Sequence, residues 1–80
     1  MAKFFLDLHE CGTTIEDEEG LELANLDGAR LVALKAAREI MCGEVSHGRL
    51  CLSCCIAIRD ETGQIVMSVP FKDAVTLAGL

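Results

Sequence analysis

Tryptophan and tyrosine are absent from this chain, and Phe4, Phe5 and Phe71 are its only aromatic residues besides histidine. Modules that bind RNA or single strands stack bases on exposed aromatic rings, and so small a supply fits a core better. Basic residues are also scarce, seven against 13 acids, for a net charge of −6. That balance repels polyanions at long range and counts against DNA, RNA and anionic membranes as partners. No apolar run reaches the ~18 residues of a membrane span. Asp7 comes too early for a signal peptide. A cytoplasmic location is therefore expected, with the thiols reduced.

The vocabulary of catalysis is missing too. There is no phosphate-cradling glycine loop and no G-x-S-x-G elbow, and His9 and His47 are the only histidines. Eighty residues leave little room for a core, a cofactor pocket and a cleft together. The expectation is one domain over residues 1–80, not an enzyme, with no cofactor.

What is present is patterned. Residues Lys3 to His9 alternate, with Phe4, Leu6 and Leu8 on one face, which reads as a strand with one buried side. Cys11-Gly12 marks a turn, and the β-branched Thr13-Thr14-Ile15 a short second strand. Asp17-Glu18-Glu19-Gly20 reads as a solvated turn, and Leu21 and Leu23 as an extended re-entry to the core. Asn25 suits an N-cap, with Asp27 favoured by the helix dipole in the first turn. From there Leu26, Ala29, Ala33, Ala36, Ala37 and Ile40 share a helical stripe. Gly43 and Gly48 both offer an end, and Gly48 is preferred, with Gly43 tolerated inside the helix.

Alternation returns from Arg49 to Arg59. Leu50, Leu52, Cys54, Ile56 and Ile58 form one face; Arg49, Cys51, Ser53, Cys55, Ala57 and Arg59 form the other. Asp60-Glu61-Thr62-Gly63 is a hairpin turn, and Gln64 to Phe71 the return strand, with Ile65, Met67, Val69 and Phe71 on one face. Pro70 places that strand near its end or at an edge. The order β-β-α-β-β makes an α+β fold, one helix on one face of a four-stranded, mainly antiparallel sheet. The expected core is Leu6, Leu8, Ala33, Ala36, Ile40, Leu52, Cys54, Ile56, Ile58 and Met67.

Phe4-Phe5-Leu6-Asp7-Leu8, Asp17-Glu18-Glu19-Gly20, Ala29-Arg30 with Ala33, Arg59-Asp60-Glu61-Thr62-Gly63 and Val69-Pro70-Phe71-Lys72-Asp73-Ala74 stand in an order that resembles a family of short alphaproteobacterial domains of unknown function. The resemblance runs nearly end to end. It implies a small bacterial protein and carries no reaction, ligand or catalytic residue. Cys51, Cys54 and Cys55 depart from it, since polar or aliphatic residues are expected there.

The five cysteines are an odd number, so a closed set of disulfides would leave one over. Cys51-x-x-Cys54-Cys55, with His47 just upstream, has the spacing of metal and redox motifs. In an alternating strand, however, Cys51 and Cys54 point to opposite faces, so no metal site is expected. Glu16 to Glu19 is consecutive rather than alternating, unlike a calcium loop. The uncovered sheet face carries Phe5, Cys51, Cys55 and Ala57, which with the misplaced Leu31 make a candidate interface. The leading expectation is thus a non-enzymatic interaction or regulatory module whose partner is another protein or a second copy in a homodimer. A thiol-based metal or redox element and an antitoxin-like regulatory domain are the alternatives.

Overall fold

The computed structural model describes residues 1–79 and is α+β, as the pattern requires. Strand β1, Ala2–Glu10, is the spine of an antiparallel sheet. One of its edges pairs with β4, Cys55–Arg59, in the register Phe5 with Arg59 through His9 with Cys55. Its other edge is shared. β2, Thr13–Ile15, pairs with Leu8 to Glu10, and β3, Leu21–Leu23, pairs with Ala2 to Phe4. The extended Leu21–Leu23 segment therefore adds a fifth strand to the four expected. β5, Ile65–Pro70, completes the sheet beyond β4.

Helix α1, Leu26–Ser46, lies across one face. The Asn25 side chain caps it by accepting from the Gly28 amide at 2.9 Å, and it ends at His47 and Gly48, where Gly48 turns left-handed at φ +78°. Gly43 stays inside the helix. The buried stripe is Ala29, Ala33, Leu34, Ala37 and Met41. Ala36 and Ile40 sit half-buried at its margin. Alanines at the contact let the helix axis approach the sheet, where Phe4, Ile56, Ile58 and Val69 meet it. Ala33, Cys54, Ile56 and Ile58 are buried as expected. Leu6, Leu8, Leu52 and Met67 are half-buried around them.

Three sequence expectations are corrected. First, Arg49 to Cys54 is not strand. β1 turns away at Cys11 and Gly12, and β5 ends at Pro70 opposite Cys55, so among the described residues no strand flanks Arg49 to Ser53. Second, a register shift at Ile58 and Arg59 pairs Arg59 with Ile65. That takes Ile65 off the core face and leaves it 58% exposed. Third, Phe71 leaves the return strand. It opens the short 3-10 turn Phe71–Asp73, donates its backbone N–H to Cys54 O at 2.9 Å, and is fully buried.

The acidic run does bend with Glu18 and Glu19 exposed, as expected, but it is tied down through Asp17. It folds over the sheet face that α1 leaves bare. The Leu6 amide falls in the gap between β2 and β3, and Asp17 fills that gap by accepting from it at 3.2 Å. The same carboxylate takes the amides of Glu19 at 3.1 Å and Gly20 at 3.0 Å. Asp7, 5% exposed, accepts from the Asp17 amide at 3.0 Å and pairs with Arg59. Phe5 lies beneath the Arg59 guanidinium, 4.9 Å from its ring centre. Gly20 is required here: it has φ +74°, and a Cβ would stand 2.9 Å from Phe5.

Candidate functional site

The turn joining β1 to β2 has positive φ at both central residues, +49° at Cys11 and +79° at Gly12. Such two-residue turns match the twist of a hairpin, and their first position is ordinarily asparagine, aspartate or glycine. Cysteine there has a Cβ that crowds the backbone, a local cost of order 1 kcal/mol. The side chain so placed does not stand alone.

Across from this turn, the chain leaves α1 and runs to β4 as irregular backbone bent at Leu52 and Ser53. The bend turns Cys51 back toward Cys54. The Cys54 thiol donates to the Cys51 sulfur at 2.7 Å, and the Ser53 hydroxyl stands 3.3 Å from it. The sulfurs of Cys11, Cys51 and Cys54 all lie within 4.8 Å of one another. Arg49 brings a guanidinium nitrogen to 3.6 Å from Cys11 Sγ. Cys54 is buried, Cys51 half-buried and Cys11 exposed, so the cluster opens to solvent on one side.

Two thiols in contact with unequal burial titrate unequally. The hydrogen bond from Cys54, aided by Ser53, lowers Cys51 to about 7. Burial, reinforced by the Cys51 hydrogen bond, pushes Cys54 up to about 12. The arrangement keeps a nucleophilic sulfur at the mouth and a protonated one behind it.

The other residues singled out from the sequence lie elsewhere. Phe5 and Cys55 do share the face opposite α1, but Ala57 on that face is 4% exposed and Cys51 is not on it at all. Leu31 projects from α1 with 65% exposure. His47 does not join the thiols; its Nδ1 lies 2.9 Å from the Gly43 carbonyl oxygen. His9 lies against the Thr14 hydroxyl at 3.1 Å. The residue missed was Cys11. Its signal was available: a cysteine ahead of glycine in a hairpin turn, where another residue would fit more easily.

Fold and site together define a small α+β domain with a three-thiol cluster at one end of its sheet. The family model for a domain of unknown function, DUF6894, matches residues 3–72, and the chain belongs to that family. That span includes all three cysteines of the cluster. No curated protein and no solved structure matches the chain. Among the described residues, no helix is long and apolar enough to cross a membrane.

Proposed function

We propose that this domain is a non-enzymatic module that holds one thiophilic divalent cation, of which zinc is the best fit, on Cys11, Cys51 and Cys54. The observation that carries this reading is the convergence of three sulfurs within 4.8 Å from two loops far apart in the chain. Thiolates select zinc over magnesium or calcium. Zinc–sulfur bonds of ~2.3 Å in a tetrahedron set neighbouring sulfurs about 3.8 Å apart. Cys51 and Cys54 must open by roughly 1 Å to reach that spacing, and the irregular backbone between them has no ladder to break. Three protein ligands leave a fourth position for water or for a donor from another molecule. The bound ion would tie the β1–β2 turn to the segment before β4. The left-handed Cys11 also fits this role, because strained backbone concentrates where function fixes a side chain.

The test is a metal titration of the reduced protein. Cobalt should bind with one ion per chain and show thiolate charge-transfer absorption, and zinc should displace it. Serine at Cys11, Cys51 or Cys54 should weaken binding, whereas serine at Cys42 or Cys55 should not. Binding that ignores the first three substitutions would refute the assignment.

A second reading, self-association through β5, is favoured by one observation. Among the described residues, β5 ends the strand order with no neighbour beyond it, and it exposes Ile65 and Val66. Pro70 and the bulge at Val66 shorten this edge, and the stretch that stays open can pair with another strand.

A further inference from the structure

We infer that Cys51 and Cys54 form a dithiol that a low-molecular-weight disulfide oxidises to an intramolecular disulfide, with Cys51 as the attacking sulfur. This goes beyond cation binding and does not depend on it, because it stands on the placement of two sulfurs alone. They are 2.7 Å apart. A disulfide needs about 2.05 Å, and two thiolates on one zinc ion stand about 3.8 Å apart. The pair is therefore close enough that a movement of about 1 Å or less closes the bond. The segment that must shorten the gap is the two-residue bend Leu52-Ser53, held by no strand pairing. One end is anchored where Cys54 O accepts from Phe71 N at 2.9 Å, and Leu52 packs against the core.

Exposure fixes the order of events. Cys54 is 2% exposed and beyond reach of an incoming molecule, whereas Cys51 is half-buried at the mouth of the cluster. The Cys51 thiolate attacks one sulfur of the small disulfide. The old sulfur–sulfur bond breaks, one small thiolate leaves, and Cys51 carries the other half as a mixed disulfide. Cys54 then loses its proton and attacks the Cys51 sulfur, expelling the second thiolate. Two electrons pass from the cysteine pair to the small disulfide, and the two protons of the dithiol end on the two small thiols released. The Ser53 hydroxyl, 3.3 Å from Cys51 Sγ, is placed to donate to the attacking thiolate. The same closure withdraws two of the three thiolates from any cation, so disulfide and bound ion exclude each other.

The test uses the full chain, stripped of metal with a chelator and treated with excess oxidised glutathione without oxygen, then quenched in acid and alkylated. Cleavage after Arg49 and Arg59 puts Cys51, Cys54 and Cys55 on one peptide and Cys11 on another. The expected product is that first peptide carrying an internal Cys51–Cys54 bond, with two of the five thiols lost. In Cys54→Ser the reaction should stop at a stable glutathione adduct on Cys51. A stable adduct on Cys51 in the unmodified chain, a bond joining the two peptides through Cys11, or a Cys51–Cys55 bond would overturn the inference. The wild-type map needs no variant to fold. A parallel arm preloads zinc. Disulfide formation without zinc binding removes the cation reading alone, and zinc binding without the disulfide removes this inference alone.

Discussion

Arg59 grips Asp7 with two nitrogens of its guanidinium, Nε to Oδ2 at 2.5 Å and Nη2 to Oδ1 at 3.1 Å. Nη2 also reaches the carbonyl of Asp17 at 3.3 Å. The pair is diagonal across β1 and β4, and it fastens the acidic loop to the sheet. Removing one partner of a buried pair leaves the other unsatisfied. Asp7→Ala should therefore destabilise by about 3 kcal/mol, the low end for buried pairs, because Arg59 keeps 24% of its side chain in water. Urea unfolding measures this. A loss below about 1 kcal/mol would reduce the contact to an ordinary surface pair.

Acid should act through the same network. Hydrogen bonding to Arg59 holds the Asp7 carboxyl below its usual value. Burial pushes Asp17 up, but the amides of Gly20, Leu6 and Glu19 outweigh it and the net shift is downward. A carboxyl whose pKa is lower folded than unfolded stabilises fully above the unfolded value, about 3.9, and loses that contribution as pH falls through the folded value. Stability attributable to this pair should hold from neutrality to about pH 5 and fall below about pH 4. Asp17→Asn should be less stable at neutral pH and decline less steeply in acid. An unchanged acid slope would place the acid sensitivity elsewhere.

Two glycines should respond in opposite directions to alanine. A Cβ on Gly43 meets nothing within 4 Å, and the residue is helical, so Gly43→Ala should stabilise by about 0.5–1 kcal/mol. Gly20→Ala should destabilise by at least ~1 kcal/mol, since its left-handed φ and its approach to the Phe4 carbonyl at 3.1 Å both resist a side chain. Denaturation midpoints of the two variants decide this; a stabilised Gly20→Ala would count against the placement of the acidic loop, and a destabilised Gly43→Ala against the open helix position.

Self-association through β5 predicts a reversible dimer in sedimentation at micromolar concentration with reductant present. Ile65→Lys should dissociate it, since charge on an edge strand opposes pairing. A monomer of 8.6 kDa at every concentration would remove this reading.

The elements with local causes could be read directly. Alternation marked β1, and Asn25 and Gly48 marked the ends of α1. The errors arose where a distant segment decides. Leu50, Leu52 and Cys54 continue the alternation of β4, yet a strand needs a partner, and β1 has already turned at Cys11. That one misreading also hid the site, because an extended backbone sets Cys51 and Cys54 on opposite faces and a bend brings them together. Asp17 looked solvated because nothing local shows that two three-residue strands would leave the Leu6 amide bare between them.

The two rims of the sheet are unlike as templates. Along β5 runs one row of backbone groups, interrupted at Val66 by the register shift opposite Ile58 and Arg59 and limited by Pro70 at one end. Along the far rim, two short strands stand apart with the Asp17 carboxylate lodged between them. A newcomer there meets a broken register and a negative charge. Joining β5 to β5 about a two-fold axis would use up the two less broken rims and leave the two more broken ones facing outward. On the self-association reading, assembly through β5 should therefore stop at a pair rather than propagate into a fibre.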